Sequence, residues 1–139
     1  MAVKSLPELQ ALGDTLGSYI SKLANVCFAA YGYVHFIHLT TPSYEQHKAL
    51  DELYSELPGQ VDPLIESFLS DTNSTLEYVK VDLSDMTGED VCDTILMYAR
   101  VLHFKIANEE SDLSHALSND LEGLMSFVAS VKYKLVRLS

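Results

Sequence analysis

Apolar residues recur every three or four positions over four long stretches of this 139-residue chain. That spacing is typical of one buried face of an α-helix rather than of a strand. The first stretch runs from about Pro7 to His38 and ends at Thr40-Thr41-Pro42. Proline cannot continue a helix but is favoured at the start of the next one. Such a short connection predicts that the first two helices form an antiparallel hairpin.

The second stretch predicts a helix that begins at Thr41 or Ser43 and ends near Ser70. It contains Pro58-Gly59, and a proline in a helix interior costs about 3 kcal/mol. We therefore expect a kink or a short break at this point.

Two further helices are predicted in the second half of the chain. One begins near Thr87 or Gly88, and the last is capped by Ser118 or Asn119. The connection before Thr87 is longer than the other connections. The pattern predicts one all-α domain over residues 1–139, a four-helix bundle with one long crossover connection.

Composition narrows the class of protein. The chain carries 20 acidic and 9 basic residues, a formal net charge of −11, and such a charge disfavours binding to nucleic acid. No apolar run reaches the length of about 18 residues that a membrane span needs. Cys27 and Cys92 lie in apolar, helix-patterned segments, which predicts reduced, buried thiols in a cytoplasmic protein.

Histidine and carboxylate side chains follow one face of the second predicted helix. His47 and Asp51 are four residues apart, as are Asp62 and Glu66, and eleven residues separate Asp51 from Asp62. All four share one stripe if the helix is continuous, with Asp51 and Asp62 about 16 Å apart along the axis. These residue types bind iron, manganese or zinc.

That distance is too long for one metal centre within a straight helix. Either the helix folds back at the proline, or the two pairs meet across a two-fold interface. In the second case His35, His47 and Asp51 of one chain face Asp62 and Glu66 of its partner. The alternative interpretation is a solvated acidic face without a ligand.

Two neighbouring side chains leave similar alternatives open. His38 is either an accessory ligand or an ordinary surface histidine. Tyr31, one turn before His35, either donates a hydrogen bond near the site or packs in the core.

The polar series resembles a known family. His35, His47, Asp51, Asp62 and Glu66 are similar, in order and spacing, to the ligand series of the Dps family, the mini-ferritins that protect DNA during starvation. The stretch from Tyr44 to Tyr54 resembles that family's aromatic, histidine and leucine-tyrosine pattern. Ser118-Asn119-Asp120-Leu121 is similar to the start of its last helix.

This resemblance implies a ferritin-like bundle that assembles into a hollow shell of twelve subunits. His35, His47, Asp51, Asp62 and Glu66 would form ferroxidase sites between subunits, where hydrogen peroxide or O₂ oxidises Fe(II). The ferric iron would be stored and oxidative damage limited. The same ligands also suit zinc or manganese. DNA binding is not expected because the family's lysine-rich tail is absent. The alternative is a helical-bundle assembly protein without efficient ferroxidase activity.

Overall fold

A computed structural model describes residues 6–71, 75–108 and 112–137. Within these ranges the chain is helical and contains no strand, so the all-α prediction is confirmed. The helices are α1 (Pro7–Gln10), α2 (Leu16–Thr40), α3 (Tyr44–Asp71), α4 (Gly88–Ala107) and α5 (Asp112–Arg137).

The first predicted helix is two helices, so its prediction as one continuous element is wrong. Gly13 has a φ of 93°, a left-handed conformation that glycine adopts without a steric penalty. The Ser18 hydroxyl donates to the Leu12 carbonyl oxygen at 2.6 Å. The Thr15 hydroxyl caps α2 by accepting from the Ser18 amide at 3.1 Å. These contacts stabilise a tight turn before α2 that the apolar spacing does not reveal.

α3 continues through both of its prolines, Pro58 and Pro63. Of the two alternatives expected at Pro58-Gly59, a kink or a short break, the break is therefore wrong. Each proline removes one helical N–H donor and costs about 3 kcal/mol. The helix buries apolar side chains on both sides of the prolines: Leu53 and Leu57 before or beside Pro58, and Val61 and Leu64 around Pro63. Burying such side chains contributes about 1.5–3 kcal/mol each, which offsets the lost hydrogen bonds.

The four long helices pack as a bundle. α2 contacts α3 and α4, and α5 contacts the same two helices, so α2 and α5 lie diagonally opposite. The connection between α3 and α4 runs along α2. Asn25 hydrogen-bonds Glu77 and Val79, and Tyr33 donates to the carbonyl oxygens of Ser84 and Met86.

The predicted start of α4 agrees with the structure, whereas the predicted start of α5 does not. The Thr87 hydroxyl accepts from the Asp90 amide, and the Asp90 carboxylate accepts from the Thr87 amide. This capping box confirms the predicted start of α4 near Thr87. α5 begins at Asp112, so the predicted caps Ser118 and Asn119 lie inside the helix. The helix extends further because Leu117 is fully buried and continues its apolar stripe.

The buried side chains of all four long helices form one core. Cys27 and Cys92 are buried in it as free thiols, which confirms the prediction for both. Among the helices described, none combines the length and the apolar character needed to cross a bilayer.

Candidate functional site

The α2–α3 hairpin gathers aromatic and imidazole rings at one end of the bundle. Directly after the short hairpin turn, the Ser43 hydroxyl accepts from the Gln46 amide at 3.2 Å and caps α3. The ring of His38 stacks on that of His47, with centroids 3.7 Å apart. The ring centroid of His35 lies 6.0 Å from that of His38.

His38 and His47 hold each other in one orientation. Nδ1 of His38 lies 2.7 Å from the backbone oxygen of His47, and Nδ1 of His47 lies 2.7 Å from the backbone oxygen of His38. A carbonyl oxygen only accepts, so both Nδ1 atoms carry a proton. Nε2 is then the ring atom of each that is left to accept a proton or bind a metal. His38 is only 7% exposed, and the surface interpretation of it is wrong.

Tyr54 connects His35 to Asp51. Its ring stacks on His35 with centroids 4.4 Å apart and an interplanar angle of 14°. A side-chain hydrogen-bonding interaction with the Asp51 carboxylate, followed by burial and the Asp51 charge, raises the pKa of Tyr54. The sequence analysis gave Tyr54 no role at the site. Its position three residues after Asp51, on the same side of a helix, is the signal that could have found it.

Asp62 and Glu66 lie further along the same exposed stripe of α3. Because α3 is unbroken, they lie about 16 Å and more from Asp51 along the helix axis. The structure therefore brings His35, His47 and Asp51 to one end of the α2–α3 face and leaves Asp62 and Glu66 apart from them. In the described ranges no three His, Cys, Asp or Glu side chains converge to hold a metal ion.

Tyr31 lies between these two groups. It packs against the core, as one of its two interpretations predicts, and its hydroxyl oxygen is buried without a hydrogen-bond partner among the described residues. Burial, followed by the nearby Cys27 thiol and Asp62 carboxylate, raises the pKa of Tyr31. The hydroxyl is therefore a neutral group close to Asp62.

A second polar cluster lies between α4 and α5. The Ser118 hydroxyl and the Glu122 carboxylate each lie 3.2 Å from Nε2 of His103. A nucleophilic triad needs the carboxylate on the other ring nitrogen, so that one nitrogen stays available to the serine. This cluster therefore does not have the geometry of a hydrolase site.

Fold and surface together define a helical-bundle protein with a histidine and carboxylate stripe on one hairpin. The chain belongs to a family of unknown function, DUF5856, which matches residues 38–135. It is also similar to the uncharacterized 14.6 kDa protein in the mobD–ri intergenic region of Enterobacteria phage T4, with 36% identity over 74 residues. That match spans 53% of this chain and 55% of the phage protein, about half of each. No solved structure matches the chain significantly.

These comparisons correct the proposed membership of the Dps family. The family that matches is DUF5856, and the chain is similar to an uncharacterized phage protein. The resemblance depended on five polar positions on two helices. Polar residues at helical spacing recur on any acidic amphipathic helix, since one face of it is solvated. The shell of twelve subunits was implied by the resemblance alone, so it loses the support of family membership.

Proposed function

We propose that two copies of this chain bind iron between them and that Fe(II) is oxidised there. The observation that carries the proposal is the unbroken α3. It presents Asp51, Asp62 and Glu66 on one exposed stripe, as two incomplete groups too far apart for one metal centre.

A two-fold axis completes both groups at once. His35, His47 and Asp51 of one chain then face Asp62 and Glu66 of the other, and the same contact repeats on the far side of the axis. In the described part of a single chain no three such side chains converge as ligands, so His35, His47 and Asp51 would come together around the metal only when the site forms. Each site would combine imidazole nitrogen with carboxylate oxygen, a donor set suited to iron.

The chemistry follows from the ligands. Carboxylate oxygens favour the harder Fe(III) over Fe(II), so they stabilise the product of oxidation. One molecule of hydrogen peroxide takes one electron from each of two Fe(II) ions and accepts two protons, which yields two waters and two Fe(III) ions. O₂ is the alternative oxidant. Zinc or manganese would occupy the same ligands as an inhibitor or a substitute.

The two ligand groups differ in how firmly their side chains are held. Tyr54 stacks on His35 and interacts with the Asp51 carboxylate, and the backbone oxygen of His38 fixes the tautomer of His47. Ligands held in advance lose less conformational freedom on binding. His35, His47 and Asp51 would therefore bind the first iron, and Asp62 and Glu66 would complete its shell from the partner.

The test is anaerobic titration of Fe(II) followed by addition of peroxide, with ferric absorbance recorded. We expect saturation at one or two irons per chain and rapid oxidation, and the His47→Ala, Asp51→Ala double variant should lose both. The matched control is His115→Ala with Glu122→Ala on α5, on the far side of the bundle. Absence of oxidation above the buffer blank by the wild-type protein would overturn the proposal.

A second candidate function is supported by a specific observation. The Nδ1 atoms of His38 and His47 hydrogen-bond the backbone of the hairpin itself, which is a structural role. A metal-free assembly protein would need only this structural role of the two histidines. It predicts that iron changes neither the mass nor the stability of the particle. Sedimentation of the protein with and without Fe(II) measures that mass and distinguishes a dimer from a larger assembly.

A further inference from the structure

The connection between α3 and α4 has the side-chain pattern of a β-strand, although no second strand lies beside it in the described part of the chain. Residues 76–83, which we call the extended segment, contain no turn. Val79 and Val81 pack against the core, whereas Lys80 and Asp82 are exposed. This alternation is the period of a strand with one buried face, and β-branched residues such as valine favour that conformation.

One edge of the extended segment is hydrogen-bonded to α2. The amide of Glu77 donates to the Ser21 hydroxyl at 3.2 Å, and the amide of Val79 donates to the side-chain oxygen of Asn25 at 2.9 Å. The Glu77 carbonyl oxygen accepts from the side-chain nitrogen of Asn25 at 2.6 Å. In an extended chain the backbone groups of alternate residues point to the same edge. The edge that carries Glu77 and Val79 is therefore occupied.

The opposite edge carries the backbone groups of Tyr78 and Lys80. Within the residues that the structure describes, no hydrogen bond reaches the N–H or the C=O group of either residue. The Tyr78 side chain is also 75% exposed. A row of unpaired backbone groups on an extended chain is a template on which another extended chain can pair.

We propose that the extended segment is a docking site for an extended, positively charged segment of a partner protein. That partner segment would lie beside it as a second strand and pair with the backbone groups of Tyr78 and Lys80. The inference goes beyond the proposed function and does not depend on it, because neither the pairing nor its test involves a metal ion.

Charge selects this partner. Residues 75–87 contain three acidic residues and one lysine, and the whole chain has a net charge of −11. A basic segment is therefore attracted to this edge and an acidic segment is repelled. A second copy of this chain would bring the same acidic residues to the edge and is disfavoured for that reason.

The probe is a peptide designed for this edge, acetyl-Lys-Val-Lys-Val-Thr-Val-Lys-Val-Lys-amide. Valine at every second position favours the extended conformation, and the lysines complement the acidic connection. The central threonine avoids a like charge opposite Lys80, since like charges directly opposite each other destabilise a pair of strands. The peptide sequence reads the same in both directions, so parallel and antiparallel pairing offer the same side chains.

Two N-methylated forms of the probe test whether backbone pairing carries the binding. One form is methylated on the valine nitrogens, and the other on the nitrogens of the lysines and the threonine. Only one edge of the probe pairs with the extended segment. We therefore expect one form to bind as the unmodified probe does and the other to bind more weakly by about tenfold, as loss of hydrogen bonds predicts.

The full chain is compared as the wild type, Lys80→Pro and Lys80→Ala, with binding measured by fluorescence anisotropy. Proline removes the N–H group of residue 80 and is tolerated in an extended edge strand, whereas alanine removes the same side chain and keeps the N–H group. We expect Lys80→Pro to weaken binding by about tenfold. Lys80→Ala should bind at least as tightly as the wild type, because it removes a positive charge next to a basic peptide. Circular dichroism checks that both variants fold.

Hydrogen exchange, resolved by NMR for each amide, gives an independent readout. The bound probe should slow exchange at Tyr78 and Lys80 and leave Glu77 and Val79 unchanged, since those two amides already donate to α2. The proposal would be overturned by a wild-type chain that does not bind the probe at about 1 mM, by equal binding of the two N-methylated forms, or by equal binding to Lys80→Pro and Lys80→Ala. Protection of Tyr78 and Lys80 that rises with protein concentration in the absence of the probe would also overturn it, because a second copy would then be the occupant.

Discussion

His38 and His47 exchange hydrogen bonds between ring and backbone across the α2–α3 hairpin, at 2.7 Å in each direction. The residue four positions after His38 is Pro42, which has no N–H, so the His38 carbonyl oxygen lacks its usual helical donor. The ring of His47 supplies that donor. The pair thus stabilises the end of α2 and aligns α3 beside it.

We predict that His47→Ala lowers the free energy of unfolding by about 1–3 kcal/mol in the absence of metal, because the carbonyl oxygen of His38 loses its donor. Urea unfolding measures the change. His115→Ala, an exposed histidine on α5, should stay within about 0.5 kcal/mol of the wild type. Equal effects of the two substitutions would show that the ring of His47 stabilises nothing.

Shared iron sites make a prediction that sites within one chain do not. The His47→Ala, Asp51→Ala variant and the Asp62→Ala, Glu66→Ala variant should each bind no iron. When equal amounts are unfolded and refolded together, half of the dimers are mixed, and each mixed dimer has one intact site. Iron binding should then recover to about one quarter of the wild-type number of sites. No recovery in mixtures that contain mixed dimers would contradict sharing between chains.

The helical pattern could be predicted from the sequence because it depends on spacing alone. The start of α4 at Thr87 and the end of α3 near Ser70 both follow from local residues. The break before α2 depends on the hydrogen bond from Ser18 to Leu12, which only the folded turn reveals. The path of α3 through Pro58 depends on the core that the helix packs against.

The candidate site could also be predicted from the sequence only in part. Helical geometry gave the distance between Asp51 and Asp62 and the choice between a fold-back and an interface, and the continuous α3 removes the fold-back. The roles of His38 and Tyr54 depend on the register of α2 against α3. Neither ring contact, His38 on His47 or Tyr54 on His35, lies within one helix, so spacing along the chain could not indicate them.

Asn25 hydrogen-bonds the connection between α3 and α4 and holds it against α2. Its amide nitrogen donates to the Glu77 carbonyl oxygen at 2.6 Å, and its amide oxygen accepts from the Val79 amide at 2.9 Å. Asn25→Ala should lower the free energy of unfolding by about 2–3 kcal/mol and speed hydrogen exchange at the Val79 amide. Asn119→Ala, at an exposed asparagine on α5, is the control. Unchanged exchange at Val79 would contradict the assignment.

Burial of the two thiols predicts how stability depends on pH. Burial, followed by the charge of Asp93, raises the pKa of Cys92 to about 12, and burial also raises the pKa of Cys27. The unfolded chain ionises these thiols near pH 9, so the folded state loses stability as the pH rises from about 9 to 12. Urea unfolding at a series of pH values should record this loss, and Cys92→Ala should reduce it. Rapid labelling of the native thiols by iodoacetamide at pH 8 would contradict their burial.

Two glycines should respond to alanine in opposite directions. A Cβ at Gly88 would lie 2.7 Å from Cδ2 of Leu50 and 3.2 Å from Cδ1 of Leu135, and both leucines are buried. Gly88→Ala must displace them and should lower the free energy of unfolding by about 1–2 kcal/mol. A Cβ at Gly59 would meet nothing within 4 Å, so Gly59→Ala should stabilise α3 by about 0.5–1 kcal/mol through helix propensity alone. Urea unfolding compares the two, and stabilisation by both substitutions would show that α4 does not begin in close contact with the ends of α3 and α5.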